Sequence, residues 1–364
     1  MRILFILEYY YPHIGGVETF FKTLIEKLDT EGHEVTVFTN RYDTKLPAQE
    51  SMGKNISIIR KRYYNRYLFT FFAWWSALRY ARKSDLIHTT SYNAAIPAWI
   101  AAKCTGIKSI ITFHERWGKL WYQLPWMSYP AKVLHFSFEW LITKLSFDRY
   151  VGVSEYTKNS LLSSGISKQR VERIYNGINY EGWPEHQGSG RDQPYTFLYF
   201  GRVGHAKGMD VLLKAYQQLL EKRKDHQLTL VVPSENTSLL RKIKKLIVAY
   251  KLESHITIKH DLPYKDLLSE IAHADAVVIP SYSEGFCFAA VETMAIGTPI
   301  ISSGQGALSE VVSGQHIETV SLDTSDMMTA MQEALEGQWV ETELIRFQLS
   351  DTISAYQQLY KEIL

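Results

Sequence analysis

Two glutamates stand eight positions apart in "SEGFCFAAVE", residues 283 to 292, between the apolar run "DAVVIP" and the apolar segment "AAVETMAIG". The run reads as a strand leaving a core and the segment as a helix, so Glu284 falls in the loop at the strand's carboxyl end. Ala289 and Ala290 in the first helical turn keep the free N–H groups of that end open to a phosphate. Glu292, about one turn further on, can reach a diol. This spacing suits a nucleotide sugar, with one carboxylate for sugar hydroxyls, backbone amides for a diphosphate and one carboxylate for a ribose. A second cluster fits the same ligand. In "YFGRVGHAKGMDVLLKAY", Arg202 and Lys207 occupy a glycine-flanked loop directly before a helix; a guanidinium binds phosphate oxygens bidentately, and an ammonium acts as a movable point charge. In "EYYYPHIGGVETF", Gly15 and Gly16 open another helix whose N–H groups favour an anion. They do not form the spaced Gly-x-Gly-x-x-Gly fingerprint, which disfavours a dinucleotide oxidoreductase.

These loops need strands to hold them. "RILFIL", "EVTVFT", "ISIIRK", "DLIHTT", "KSIITF" and "DRYVGVS" read as strands, with helical patterns such as "VETFFKTLIEKLDTEG" between them. After a Gly- and Pro-containing linker at 176–195 the pattern restarts with "TFLYFGRV", "QLTLVVP", "HITIKH" and "DAVVIP". Continuously apolar strands imply parallel sheets covered on both faces. The expected fold class is α/β, with two Rossmann-like doubly wound domains that bind ligand in a cleft outside the strands' carboxyl ends. The expected domains are 1–178 and 179–347, with a last helix at about 348–364 returning to the first; that helix and the linker would form a hinge.

Composition limits the function. The chain has 364 residues, 46% apolar, and its two cysteines, Cys104 and Cys287, imply neither a disulfide framework nor a metal-ligand spacing. The opening "MRILFILEYY" is too short an apolar run for a signal peptide, and "YLFTFFAWWSAL" is too short to span a bilayer. A cytoplasmic location follows as the expectation. Residues 1–180 carry 24 Lys and Arg against 14 Asp and Glu, whereas residues 181–364 carry 16 against 24, under a net charge of only +2. The first half is therefore expected to meet an anionic partner, either a membrane surface or a charged substrate. "HERWGKLWYQLPWMSYPAK" crowds Trp117, Trp121 and Trp126 beside Arg116, Lys119 and Lys132, a composition found at membrane interfaces. These tryptophans are expected to face an acceptor or a membrane, unless they form an internal lid or pack in the core. A peripheral position on the inner face of the cell membrane is the corresponding expectation. No nucleic acid partner is expected.

"PHIGGVE", "IYNGIN" (174–179), "GRVGHAKG" and "EGFCFAAVE" occur in an order that resembles the retaining glycosyltransferases of family 4, which have the GT-B fold, and the resemblance covers nearly the whole chain. It implies transfer of a sugar from a UDP- or GDP-linked donor, with anomeric configuration retained, to a glycan or lipid-linked acceptor in cell-envelope polysaccharide or glycolipid synthesis. By matching position, Arg202 and Lys207 would hold the diphosphate and Glu292 the ribose. Glu284, with the backbone of Phe286, Cys287 and Phe288, would hold the donor sugar. His114, ending the strand in "ITFHERW", matches a position where the family often has histidine near the reacting centre. Cys287 stands where the family usually has glycine, and "VVPSEN" (231–236) replaces a common glycine-rich turn. No Asp-x-Asp pair lies on a suitable loop, "DTSD" (323–326) reads as a capping turn, and no essential metal or other cofactor is expected. An epimerase of the same fold and a non-catalytic sugar-nucleotide binding subunit are the alternatives.

Overall fold

The computed structural model of the protein describes residues 1–13, 15–190, 194–235 and 237–364. Ile14 of the "PHIGGVE" loop, residues 191–193 of the 176–195 linker and Asn236 of the "VVPSEN" turn lie outside the described residues. The chain divides into two compact units, Met1–Trp121 with Tyr129–Gly177 and Leu349–Leu364, and Tyr122–Ser128 with Ile178–Gln348.

The first unit begins β1 (Arg2–Leu7), α1 (Gly16–Thr30), β2 (Glu34–Asn40), β3 (Gln49–Met52), β4 (Ile56–Lys61), α2 (Arg66–Ala81) and β5 (Leu86–Thr90). It continues α3 (Ala95–Thr105), β6 (Lys108–Phe113), α4 (Tyr129–Lys144), β7 (Arg149–Gly152), α5 (Glu155–Ser163) and β8 (Val171–Arg173). The strands order as β3-β4-β2-β1-β5-β6-β7-β8. All pairs are parallel, as expected, except β3 with β4 at one edge. The four-residue "QESM" strand is mostly exposed and polar, which suits a short edge that resists further pairing. β1 is buried from Ile3 to Leu7 because helices cover both of its faces. One cover is α1, whose Phe20, Phe21, Leu24, Ile25 and Leu28 recur at helical spacing and are buried. Each such side chain contributes about 1.5–3 kcal/mol through burial.

The second unit contains β9 (Tyr195–Phe200), α6 (Met209–Lys222), β10 (His226–Val232), α7 (Ser238–Ala249), β11 (Ile256–His260), α8 (Tyr264–His273) and β12 (Ala276–Ile279). After these come α9 (Phe288–Ile296), β13 (Ile300–Ser302), α10 (Leu308–Val311), β14 (Gln315–Glu318), α11 (Thr324–Leu335) and β15 (Val340–Glu341). Asp323 caps α11 by accepting from the Asp326 N–H. The order β11-β10-β9-β12-β13-β14-β15 is again doubly wound, with only the terminal β15 antiparallel. In each sheet the order reverses beside the first strand of the unit, between β1 and β5 and between β9 and β12, and these switch points are where such sheets offer their ligand-binding ends.

The last helix, α12 (Leu349–Ile363), belongs to the first unit. Tyr356 and Tyr360 are fully buried there. The Tyr360 hydroxyl lies 2.6 Å from His88 Nδ1, Thr112 Oγ1 lies 2.9 Å from His88 Nε2, and Tyr356 meets Thr112 at 3.0 Å. A buried imidazole with both nitrogens satisfied thus fastens α12 to β5 and β6. Burial lowers the His88 pKa to about 3, with the neighbouring His114 adding to the effect.

Residues 122–128 depart from the expected 1–178 domain. Trp126 packs on the hydrophobic core of the second unit, and His205 Nδ1 donates to the Pro125 carbonyl at 2.9 Å.

Candidate functional site

The second unit gathers most of the expected donor-binding residues at its switch point. β9 runs into the loop 201–208, and β12 into the loop 280–287. Gly208 has φ +62, and a Cβ there would lie 1.7 Å from the Pro280 carbonyl oxygen, so only glycine lets the two loops approach this closely. The Tyr282 N–H donates to the Ala206 carbonyl at 2.7 Å, and the Tyr282 hydroxyl to Asp210 at 2.9 Å. This stitching places Lys207 Nζ 2.6 Å from Glu284 Oε1. The same carboxylate oxygen accepts from Ser281 Oγ at 2.6 Å. Glu284 is 6% exposed, and a buried carboxylate needs such partners. Its backbone is clamped as well: the Ala307 N–H donates to the Glu284 carbonyl at 2.8 Å, and a Cβ on Gly306 would lie 2.4 Å from that carbonyl oxygen. Arg202 is exposed and makes no ion pair among the described residues.

The loop then turns into α9 through Phe286 and Cys287, both buried. Cys287 occupies the N-cap with φ 74 and ψ 81, and no side chain caps the helix. The left-handed backbone explains why glycine suits this position. Burial pushes the Cys287 thiol up from its ordinary value, which removes the thiolate a nucleophile would need and leaves a small packing residue. Phe288 and Ala289, half-buried, form the first turn. Glu292 follows, accepting from the Tyr264 hydroxyl at 3.1 Å. Burial raises its carboxyl to about 7, a rise that the Tyr264 hydrogen bond holds down in part.

The first unit presents different chemistry at its strand ends. Gly15, at φ −176, is extended rather than left-handed, so the glycine pair is not demanded by backbone sign there. It is the uncapped N-cap of α1, and Glu18 in the first turn lies 3.0 Å from His13 Nδ1. Gly15 and Gly16 therefore sit on a different unit from Arg202, Lys207, Glu284 and Glu292. His114 follows β6 with its ring edge-on to Phe20 and Phe21 at 5.5 and 5.7 Å. Its Nε2 is buried and makes no hydrogen bond among the described residues. Burial lowers its pKa to about 4, against the small opposing pull of Glu18, so the ring is neutral at pH 7.

The three tryptophans do not form one outward row. Trp121 is 6% exposed, stacks on His135 at 4.7 Å and 9°, and meets Trp117 at 4.3 Å. The backbone that carries them is fixed by buried Glu139, which accepts from the Trp117 N–H at 2.8 Å and the Gly118 N–H at 2.6 Å. Trp126 packs in the other unit. The membrane-facing expectation is corrected for Trp121, because a carboxylate that satisfies backbone N–H groups folds the segment inward.

Sequence reasoning missed Ser281 and Tyr264. Ser281 lies between the runs "DAVVIP" and "SEGFCFAAVE", three positions before Glu284. Tyr264 is 28 residues from Glu292 and gave no local signal. Among the described residues, no group of three His, Cys, Asp or Glu side chains is placed to hold a metal ion.

Two doubly wound units of this kind define the GT-B class. Sucrose-phosphate synthase of Thermosynechococcus elongatus shares the architecture at TM-score 0.80 and 21% identity, over 99% of this chain and 98% of that one. HepE of Anabaena, solved in complex with UDP-glucose, matches at TM-score 0.72 and 15% identity over 100% of both chains. The family described as Glycosyltransferase Family 4 matches residues 14–181, and the one described as Glycosyl transferases group 1 matches residues 183–342. Glycogen synthase of Mycobacterium tuberculosis is 26% identical over 92% of this chain and 86% of its own length. The chain belongs to the GT-B glycosyltransferases of family 4.

Proposed function

We propose that the protein is a retaining, metal-independent glycosyltransferase that moves a sugar from a UDP- or GDP-linked donor to a glycan or lipid-linked acceptor, in cell-envelope polysaccharide or glycolipid synthesis. The observation that carries this reading is the Lys207–Glu284 pair, 2.6 Å apart at the β9/β12 switch point, beside the uncapped N-terminus of α9. Glu284 offsets the charge of Lys207. A donor diphosphate would draw Lys207 Nζ onto its oxygens together with Arg202, while the Phe288 and Ala289 N–H groups meet the same anion. Glu284, still held by Ser281, would then accept from hydroxyls of the sugar, with Phe286 and Cys287 shaping its seat. Glu292 would take the ribose.

In the proposed reaction the anomeric carbon–oxygen bond to the diphosphate breaks, and a bond from the acceptor oxygen forms on the same face. The acceptor's proton passes to the departing diphosphate. Arg202, Lys207 and the helix end stabilise the charge that develops there, which is the work a metal would otherwise do. Neutral His114 would serve as a hydrogen-bonding partner for a sugar hydroxyl rather than as a cation.

The test joins a thermal-shift panel of nucleotide diphosphates and their sugars with NMR of the product's anomeric centre. One nucleotide should stabilise the wild type. Arg202→Ala and Lys207→Ala should each weaken that binding by about 1.5–3 kcal/mol without unfolding the protein. Glu284→Gln should keep bare-nucleotide binding and lose rate. Product with inverted configuration, activity lost with a chelator and restored by a metal, or unchanged binding in both cation variants would overturn the corresponding part of the reading.

A further inference from the structure

Helix α2 is apolar on the side that it buries and apolar on the side that it exposes. Phe69, Ala73, Ala77 and Ala81 recur every fourth residue and are buried, and α2 packs on α3. The opposite face carries Phe71, Phe72 and Trp75 at 55%, 59% and 71% exposure, with Tyr67 at 57% beside them. A helix that is apolar all round is ordinarily enclosed by protein or lipid, and large aromatics grouped on one exposed face mark an interaction surface. α4, which meets the same turn at Tyr92–Ala94 as α2, adds exposed Leu134 and Trp140.

The charges around this face have one sign. From residue 51 to 84 the chain has eight Lys and Arg and no Asp or Glu. Of these, Arg60 pairs with Glu50 and Arg66 with Glu8. Arg62, Arg79, Arg82 and Lys83 make no ion pair among the described residues and are exposed. Arg79 and Arg82 project near the last turn of α2, on the same side as Trp75 by the helical repeat. No described helix is long and apolar enough to cross a membrane, so this 16-residue helix is suited to lie along a bilayer rather than to span it.

We propose that the outer face of α2 docks the protein on an anionic lipid bilayer, with Phe71, Phe72 and Trp75 entering the interface and Arg79, Arg82 and Lys83 meeting the headgroups. Aromatic rings with a polar rim favour the depth of the headgroups, and unpaired cations beside them add attraction to anionic lipid. A protein partner would have to present a wholly acidic rim around an apolar patch; a second copy of this chain brings the same cations and would be repelled. The docking face also has a link to the strand ends. Glu8, which follows β1, lies 3.3 Å from Arg66 Nε and accepts from Asn93 Nδ2 at 2.7 Å, and Thr70 of α2 meets the same Asn93 at 3.0 Å. The first turn of α2 is thereby held at the carboxyl edge of the first sheet, so a bilayer against α2 would present its headgroups near that edge. The inference does not rest on the donor-site reading.

Flotation with vesicles tests it, using phosphatidylcholine alone and phosphatidylcholine with about one-third phosphatidylglycerol, each at low and high salt. The wild type should float with the anionic vesicles, less at high salt, and stay down with the neutral ones. Phe71→Ser/Trp75→Ser and Arg79→Glu/Arg82→Glu should each reduce the floating fraction by at least about tenfold. Both variants should melt as the wild type does and keep its response to UDP and GDP, since the altered side chains are exposed and belong to the first unit, whereas the nucleotide-binding loops belong to the second. A wild type that stays down with anionic vesicles at low salt overturns the proposal, as does an aromatic variant that floats like the wild type. A wild type that ignores vesicles but forms a dimer, dissociated by Phe71→Ser/Trp75→Ser, overturns it in favour of a second copy.

Discussion

The two sheets reverse their strand order in the same way, yet the side chains placed around their switch points differ in chemistry. In the second unit the loops after β9 and β12 carry charge, with Lys207 paired to a buried Glu284 and Arg202 left exposed. In the first unit, β5 and the residue after β6 carry neutral imidazoles: His88 is enclosed by Tyr360 and Thr112, and His114 lies edge-on to two phenylalanines. One topology thus carries a lysine paired to a buried carboxylate in the loops of one sheet and two neutral imidazoles along β5 and after β6 in the other. The strand order fixes where the loops go; the side chains placed in them decide what those loops can bind.

Acid should separate the two ends most strongly. His88 and His114 have folded-state pKa values of about 3 and about 4, below the ordinary 6.5. Between those values and 6.5 the unfolded chain binds protons that the native chain does not, so stability is full above 6.5 and lost as pH falls. By pH 5 each histidine costs about 2 kcal/mol, together about 4 kcal/mol. Amide exchange followed from pH 7 to 5 should show β5 and β6 losing protection before β9 and β12. Equal loss in both units would break the comparison.

Glu292 has the opposite sign. Its carboxyl is raised to about 7 from 4.5, so the native chain binds the extra proton, and its contribution to stability is full below 4.5 and declines as pH rises through 7. Ligand binding should follow the ionised form, which accepts from both hydroxyls of a ribose. From pH 6 to 8 the ionised fraction rises about tenfold, and affinity for a nucleotide-diphosphate sugar should rise by a similar factor. Glu292→Gln should flatten that dependence in isothermal titration. A pH profile unchanged by the substitution would remove the ribose assignment.

The smallest effect is expected at Cys287. Cys287→Gly relieves a left-handed backbone but frees the unfolded chain and removes a buried side chain, so urea denaturation should move by no more than about 1 kcal/mol. Cys287→Val places a β-branched residue in the same conformation and should destabilise by about 1–3 kcal/mol. If valine were as well tolerated as glycine, the strained turn into α9 would not constrain the site.

The sequence determined the elements themselves. β1, β2, β4 to β7 and β9 to β12 could be read from apolar runs bounded by turn residues, because strand and helix periodicities are local properties. The loop positions of Arg202, Lys207 and Glu284 followed directly, since each lies within a few residues of a strand end. Short polar edge strands such as β3 carried no apolar pattern and could not be read. Tertiary structure alone decided which of these groups meet. Lys207 and Glu284 are 77 residues apart in sequence and meet because two loops converge beside a reversed strand order, while Tyr264 and Glu292, 28 apart, meet because α8 packs on α9. It also decided which aromatics face outward. "LWYQLPW" and "FTFFAWW" have similar composition, but Glu139 draws Trp117 and Trp121 inward while α3 covers only one side of α2. Whether an apolar side chain is buried depends on what lies opposite it, and a linear sequence does not contain that neighbour.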